Sequence, residues 1–127
     1  MNKKGFTLIE LIITIALLAI IATISFVSIT NIIKEGKVKN CETLVNNIKM
    51  ATSEYVSDNR YGNLDINNFN AGILLDNKYL SGDIIDPFTD EVIPASVIKI
   101  NVVLNDDYTF KSATNTSPEV LVNCTQQ

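Results

Sequence analysis

Between Phe6 and Ile33 the chain has no glycine, no proline and a single charged side chain, Glu10. At about 1.5 Å per residue, a helix of that length spans the ~30 Å hydrocarbon core of a bilayer. In lipid every backbone N–H and C=O must be satisfied within the segment, so a run this apolar reads as a transmembrane helix. Lys3 and Lys4 precede it, and basic flanks stay on the cytoplasmic side. The N-terminus is therefore expected inside and everything after Phe26 outside. A secretory signal would close with small residues at alternating positions, and Ala19 and Ala22 lack that spacing. No cysteine follows the run directly for lipid attachment, and the glycine at its border is Gly5, before the apolar stretch. A cut there leaves the whole helix on the mature chain.

Glu10 is the anomaly in this run. A carboxylate at helix depth is destabilising by about 2.5 kcal/mol or more on insertion scales, and a cation nearby offsets that cost. No Lys or Arg stands close to it on its own helix. An interfacial carboxylate snorkelling to the headgroups is the simpler alternative. The residues around it carry a specific combination: a short basic leader, KKG, then FTLIE with its aromatic and its acid. This stretch closely resembles the class III leader of type IV pilins and pseudopilins. The resemblance implies cleavage between Gly5 and Phe6 by a membrane-embedded prepilin peptidase, N-methylation of Phe6, and an assembly role for Phe6 and Glu10. Glu10 would pair with the Phe6 amine of its own or a neighbouring subunit. Many members carry a glycine and a proline where this chain has Ala19 and Val27. A nearly continuous helix is expected here, with Thr23, Ser25 and Ser28 able to bond backbone carbonyls a turn earlier.

After Ile33 the composition turns polar, yet Val38, Cys41, Leu44, Val45, Ile48, Ala51 and Tyr55 recur every three or four residues. The helix is expected to continue, now amphipathic, to about Asp58. That would make one spine of about 80 Å at helical rise. Gly36 is a weak point in it, costing about 1 kcal/mol relative to alanine. The stretch from Ser57 to Gly72 is rich in Asn and Gly and reads as a loop, and AGILLDNKYLSG as a short helical or strand-like turn. Pro87 and Pro94 bracket a polar turn and argue against a central strand. VIKINVVLN alternates, with Ile98, Ile100, Val102 and Leu104 on one face, and YTFKS returns from an Asn-Asp-Asp turn as an antiparallel partner, with Tyr108 and Phe110 expected on one face. EVLVNC would supply a third strand. The fold class is thus α+β: a long N-terminal helical spine, hydrophobic then amphipathic, packed on a small antiparallel sheet. The expected organisation is a leader at 1–5, a membrane and assembly segment at 6–33, and an exported head at 34–127.

About 90 residues outside the membrane suffice for one small domain. Lys and Arg total 10 against 14 Asp and Glu, a net charge of −4, so a nucleic-acid footprint is absent and no nucleic-acid partner is expected. Histidine is missing altogether, which removes the commonest neutral-pH acid/base and metal ligand. An enzyme is not expected. Cys41 and Cys124 are too far apart for a CxxC element and form a disulfide or remain two buried thiols. Asp83, Asp86, Asp90 and Glu91 surround Pro87. Several oxygen ligands on one loop suit Ca²⁺, and DPFTDEVI is similar to a turn in calcium-binding major pseudopilins. A solvated acidic turn is the alternative, and no other cofactor is expected. Asn115-Thr116-Ser117 fits a glycosylation acceptor.

The resemblance implies a structural subunit, a minor pilin or pseudopilin, made as a single-pass inner-membrane precursor. It would then enter a filament on the surface or in the envelope, with other pilin subunits, a platform protein and an assembly ATPase as partners. The alternative is a membrane-tethered ectodomain that binds a ligand and never polymerises.

Overall fold

In the computed structural model, residues 5–124 are described; Lys3 and Lys4 of the basic leader lie outside them. The elements are a helix α1 (Leu8–Asp58), a short helix α2 (Ala71–Asp76), strands β1 (Ile84–Ile85) and β2 (Val92–Ile93), a 3₁₀ turn (Ala95–Val97), strands β3 (Ile100–Leu104) and β4 (Phe110–Asn115), and a last helix α3 (Glu119–Asn123). This is an α+β fold with a long N-terminal helix, as the sequence implied. The chain divides into two compact units, one ending at Gly36 and one beginning at Lys37.

In the first unit α1 passes Ala19 without a break. Hydroxyls in this apolar stretch bond their own helix: Thr14 Oγ1 donates to Glu10 O at 2.7 Å, Thr23 Oγ1 to Ile20 O at 2.8 Å and Ser28 Oγ to Ile24 O at 3.4 Å. A hydroxyl satisfied in this way needs no water, which suits it to lipid.

In the second unit the amphipathic stripe of α1 supplies one wall of the core. Cys41, Ile48, Ala51, Thr52 and Val56 are buried, with Leu44, Val45 and Tyr55 packed beside them. Thr52 is a polar residue in this wall, and its Oγ1 donates to Ile48 O at 2.7 Å, which removes the cost of burying a bare hydroxyl. The inward face of the β3–β4 hairpin supplies another wall. Ile100 pairs with Asn115 and Val102 with Ala113 in antiparallel register, and all four are buried. Ile98, Phe69, Leu74, Ile84 and Leu121 complete the cluster. The Tyr55 ring meets Phe69 at 5.5 Å and the edge of Tyr79 at 5.3 Å. Lys37 Nζ donates to Phe88 O at 3.4 Å, tying α1 to the turn between β1 and β2.

Three expectations change. EVLVNC is not a strand: Pro118, with φ preset near −68°, opens helix α3. Leu121 N donates to Pro118 O at 3.0 Å, and Leu121 is the buried residue of that single turn. The sheet is accordingly not three-stranded; two separate two-stranded ribbons form, with Ile84 opposite Ile93 and Ile85 opposite Val92 in the first. Tyr108 does not share the inward face of Phe110. It sits in the β3–β4 turn with φ 63° and is largely exposed. A bulge at Val103/Leu104 absorbs the extra residue.

Candidate assembly surface

Gly5, Phe6 and Thr7 precede the helix in extended or irregular backbone and are exposed. A Cβ at Gly5 would meet nothing within 4 Å. The bond between Gly5 and Phe6 therefore lies in open chain just ahead of the first helical turn, the setting an endopeptidase requires.

Thr7 and Glu10 form a reciprocal pair. Thr7 N donates to Glu10 Oε2 at 3.0 Å, and Glu10 N donates to Thr7 Oγ1 at 3.3 Å. This is a capping box, in which two of the unsatisfied amides of a helix start are met by each other's side chains. The sequence signal for it is Thr7-Leu8-Ile9-Glu10, a T-x-x-E directly ahead of an apolar run. The box places the carboxylate at the positive end of the helix dipole. It also leaves acceptor capacity, because a carboxylate offers about four lone-pair sites. Glu10 thus has a partner within its own chain and room for a second.

From Leu8 to Ile33 the large apolar side chains that are described point in every direction around the helix, and each is at least 51% exposed. Phe6, next to the expected cleavage point, is 92% exposed. An unpartnered apolar surface of this extent cannot face water and needs lipid or other helices.

Cys41 and Cys124 form a disulfide with their Cα atoms 5.5 Å apart, joining the buried stripe of α1 to the left-handed C-cap of α3. Asp83, Asp86, Asp90 and Glu91 do not gather as ligands, and no group of three or more acidic or thiol side chains able to hold a metal occurs among the described residues. Asp86 instead builds the β1–β2 turn. Its Oδ1 accepts from Phe88 N at 2.8 Å, its carbonyl accepts from Asp90 N at 2.9 Å, and its amide donates to Glu91 O at 2.8 Å. Asn115 is only 4% exposed and lies within β4 opposite Ile100, which keeps its amide from a glycosylating enzyme once the chain has folded.

A family model described as the prokaryotic N-terminal methylation motif matches residues 1–26. That match corresponds to the class III prepilin leader motif found in type IV pilins and pseudopilins. Comparison with curated proteins and with solved structures gives no match. Motif, apolar helix and disulfide together fit a membrane-anchored, type IV pilin-like precursor, and the motif points to a structural subunit.

Proposed function

We propose that this chain is a structural subunit of a helical filament, a minor pilin or pseudopilin, cut between Gly5 and Phe6, N-methylated on Phe6 and polymerised through the first half of α1. The observation that carries this reading is the pairing of the leader motif with a helix whose described large apolar side chains are exposed on all sides from Leu8 to Ile33. Outside the membrane such a surface must be covered, and identical helices of neighbouring subunits are the available cover. Burying one Leu or Ile from water contributes about 1.5–3 kcal/mol, so a stack of these helices is strongly self-associating once it leaves lipid.

In this scheme Glu10 is held in two stages. In the lone precursor the Thr7 amide and the helix dipole stabilise the carboxylate; a hydrogen bond to a charged group contributes about 1.5–3 kcal/mol, the same order as the insertion penalty. In the filament the methylated Phe6 amine of a neighbour, still cationic, takes a remaining acceptor site of Glu10 and fixes axial register. Prepilin peptidase, a platform protein and an assembly ATPase are the implied partners. The test is mass spectrometry of the mature N-terminus, where N-methylated Phe6 is expected and an intact Met1 would refute processing. Glu10→Ala is expected to be cleaved normally and to stay out of filaments; normal polymer from that variant would refute the register role.

A further inference from the structure

We propose that the second unit carries a glycan-binding cleft at the C-terminal end of α1, between Tyr61 and Tyr108. A cavity of about 410 Å³ opens there, lined by Arg60, Tyr61, Leu64, Ile66, Leu104 and Tyr108. This volume falls in the ~300–1,000 Å³ range of small-molecule sites. Two large aromatic rings stand open at its rim, Tyr61 at 93% and Tyr108 at 68% exposure, over half-buried aliphatic side chains of Leu64, Ile66 and Leu104. Core packing accounts for Tyr55 and Tyr79; it does not account for these two.

Arg60 links the walls of the cleft. Arg60 Nη2 donates to Asp107 O at 2.9 Å and stands 3.8 Å from Asp107 Oδ2, while its guanidinium lies 5.3 Å from the Tyr61 ring centroid. One side chain thereby contacts the chain after α1, the β3–β4 turn and the Tyr61 ring together. Tyr108 occupies a left-handed backbone position, φ 63°, that glycine or asparagine adopts with less strain. The fold retains a bulky aromatic there and points it outward, and strain of this kind concentrates at ligand sites.

The chemistry of the walls selects the ligand. Aromatic rings with hydroxyl ends offer an apolar face and a polar edge together, which matches a pyranose: a C–H face to stack and hydroxyls to bond. Asn105 and Asp106 on the adjoining turn are exposed and offer acceptors for those hydroxyls. The one guanidinium lining the cleft is engaged by Asp107, which leaves no focused positive charge for an anion and disfavours nucleic acid or an acidic sugar. The ligand class is therefore a neutral oligosaccharide. This inference stands on the head alone and does not rest on the filament reading.

The test uses the full chain in detergent, titrated calorimetrically with cellohexaose, chitohexaose and maltohexaose. At least one is expected to bind, and Tyr61→Ala and Tyr108→Ala each to weaken it about tenfold. Tyr108→Gly separates binding from folding: it relieves the backbone strain, so thermal stability is expected to hold or rise while affinity falls. Tyr61→Phe keeps the ring and is expected to retain most of the binding. Absence of binding by all three sugars at millimolar concentration, binding that survives Tyr61→Ala combined with Tyr108→Gly, or a basic peptide or DNA oligonucleotide that binds in their place would each overturn the proposal.

Discussion

The two halves of α1 obey the same backbone rules and opposite side-chain rules. From Leu8 to Ile33 the described large apolar side chains surround the helix and are exposed; from Cys41 to Val56 apolar residues form one stripe, and Cys41, Ile48, Ala51 and Val56 are buried. A helix apolar all round has no preferred face and takes its partners from outside the chain, while an amphipathic helix finds its partner within its own domain. Stability of the head is therefore encoded in the second half. The described large apolar side chains of the first half lack such cover within their own unit.

The comparison breaks most directly at the disulfide. Cys41→Ser with Cys124→Ser removes a link spanning 83 residues of sequence. The chain-entropy model assigns a loop of that size about 4 kcal/mol. Chemical denaturation of the detergent-solubilised chain is expected to show that loss, and reductant to reproduce it; an unchanged midpoint would mean the stripe holds the head without the bond. Next comes a matched pair on the same helix. Ile48→Ala opens a cavity in a fully buried site and is expected to cost about 2–5 kcal/mol. Ile12→Ala, at a site 56% exposed, is expected to leave unfolding of the single subunit within about 0.5 kcal/mol of wild type. Filament yield in cells is expected to show the converse for Ile12→Ala. Similar unfolding losses for both would erase the distinction between the halves.

A smaller effect of opposite sign is expected inside the head. Asn115 is buried with neither its Oδ1 nor its Nδ2 bonded within the protein. Asn115→Leu keeps the volume and removes two polar atoms that burial penalises. Thermal melts are expected to show stabilisation of about 1 kcal/mol, and a loss of that size would show that the amide is satisfied in solution.

How much of this was legible in the sequence follows from the range of each signal. The 3.6-residue stripe from Cys41 to Tyr55 and the alternation from Ile98 to Leu104 report local geometry, and the helix and the β3–β4 hairpin were readable from them. Val120, Leu121 and Val122 also look like strand residues by their branching. Their helical fate depends on Pro118 opening a helical turn ahead of them, which is not a property of those residues. Thr52 was hidden in the same way, because its burial depends on the hydroxyl turning back to Ile48 O. The Thr7–Glu10 box is legible as a T-x-x-E ahead of an apolar run, whereas the position of Tyr108 in the turn is set by a bulge that alternation does not reveal.

The smallest effect is a pH dependence within the second half. Tyr79 Oη donates to Asp58 Oδ2 at 2.7 Å, at the point where α1 ends. That hydrogen bond, with desolvation and the negative charge of Asp58, raises the phenol above its ordinary value of 10.0. A raised pKa means the folded state favours the protonated phenol. The contribution is therefore complete below pH 10 and is lost as pH rises through the folded value. Tyr79→Phe is expected to melt slightly below wild type at neutral pH. The gap should close in alkaline melts, where the wild-type phenol ionises and the variant has no group to lose. A gap that persists there would assign the role of Tyr79 to its ring contact with Tyr55 and not to the hydroxyl. Because Ile12→Ala lies in the half with no such internal partner, its melting difference from wild type is expected to stay flat across the same pH range.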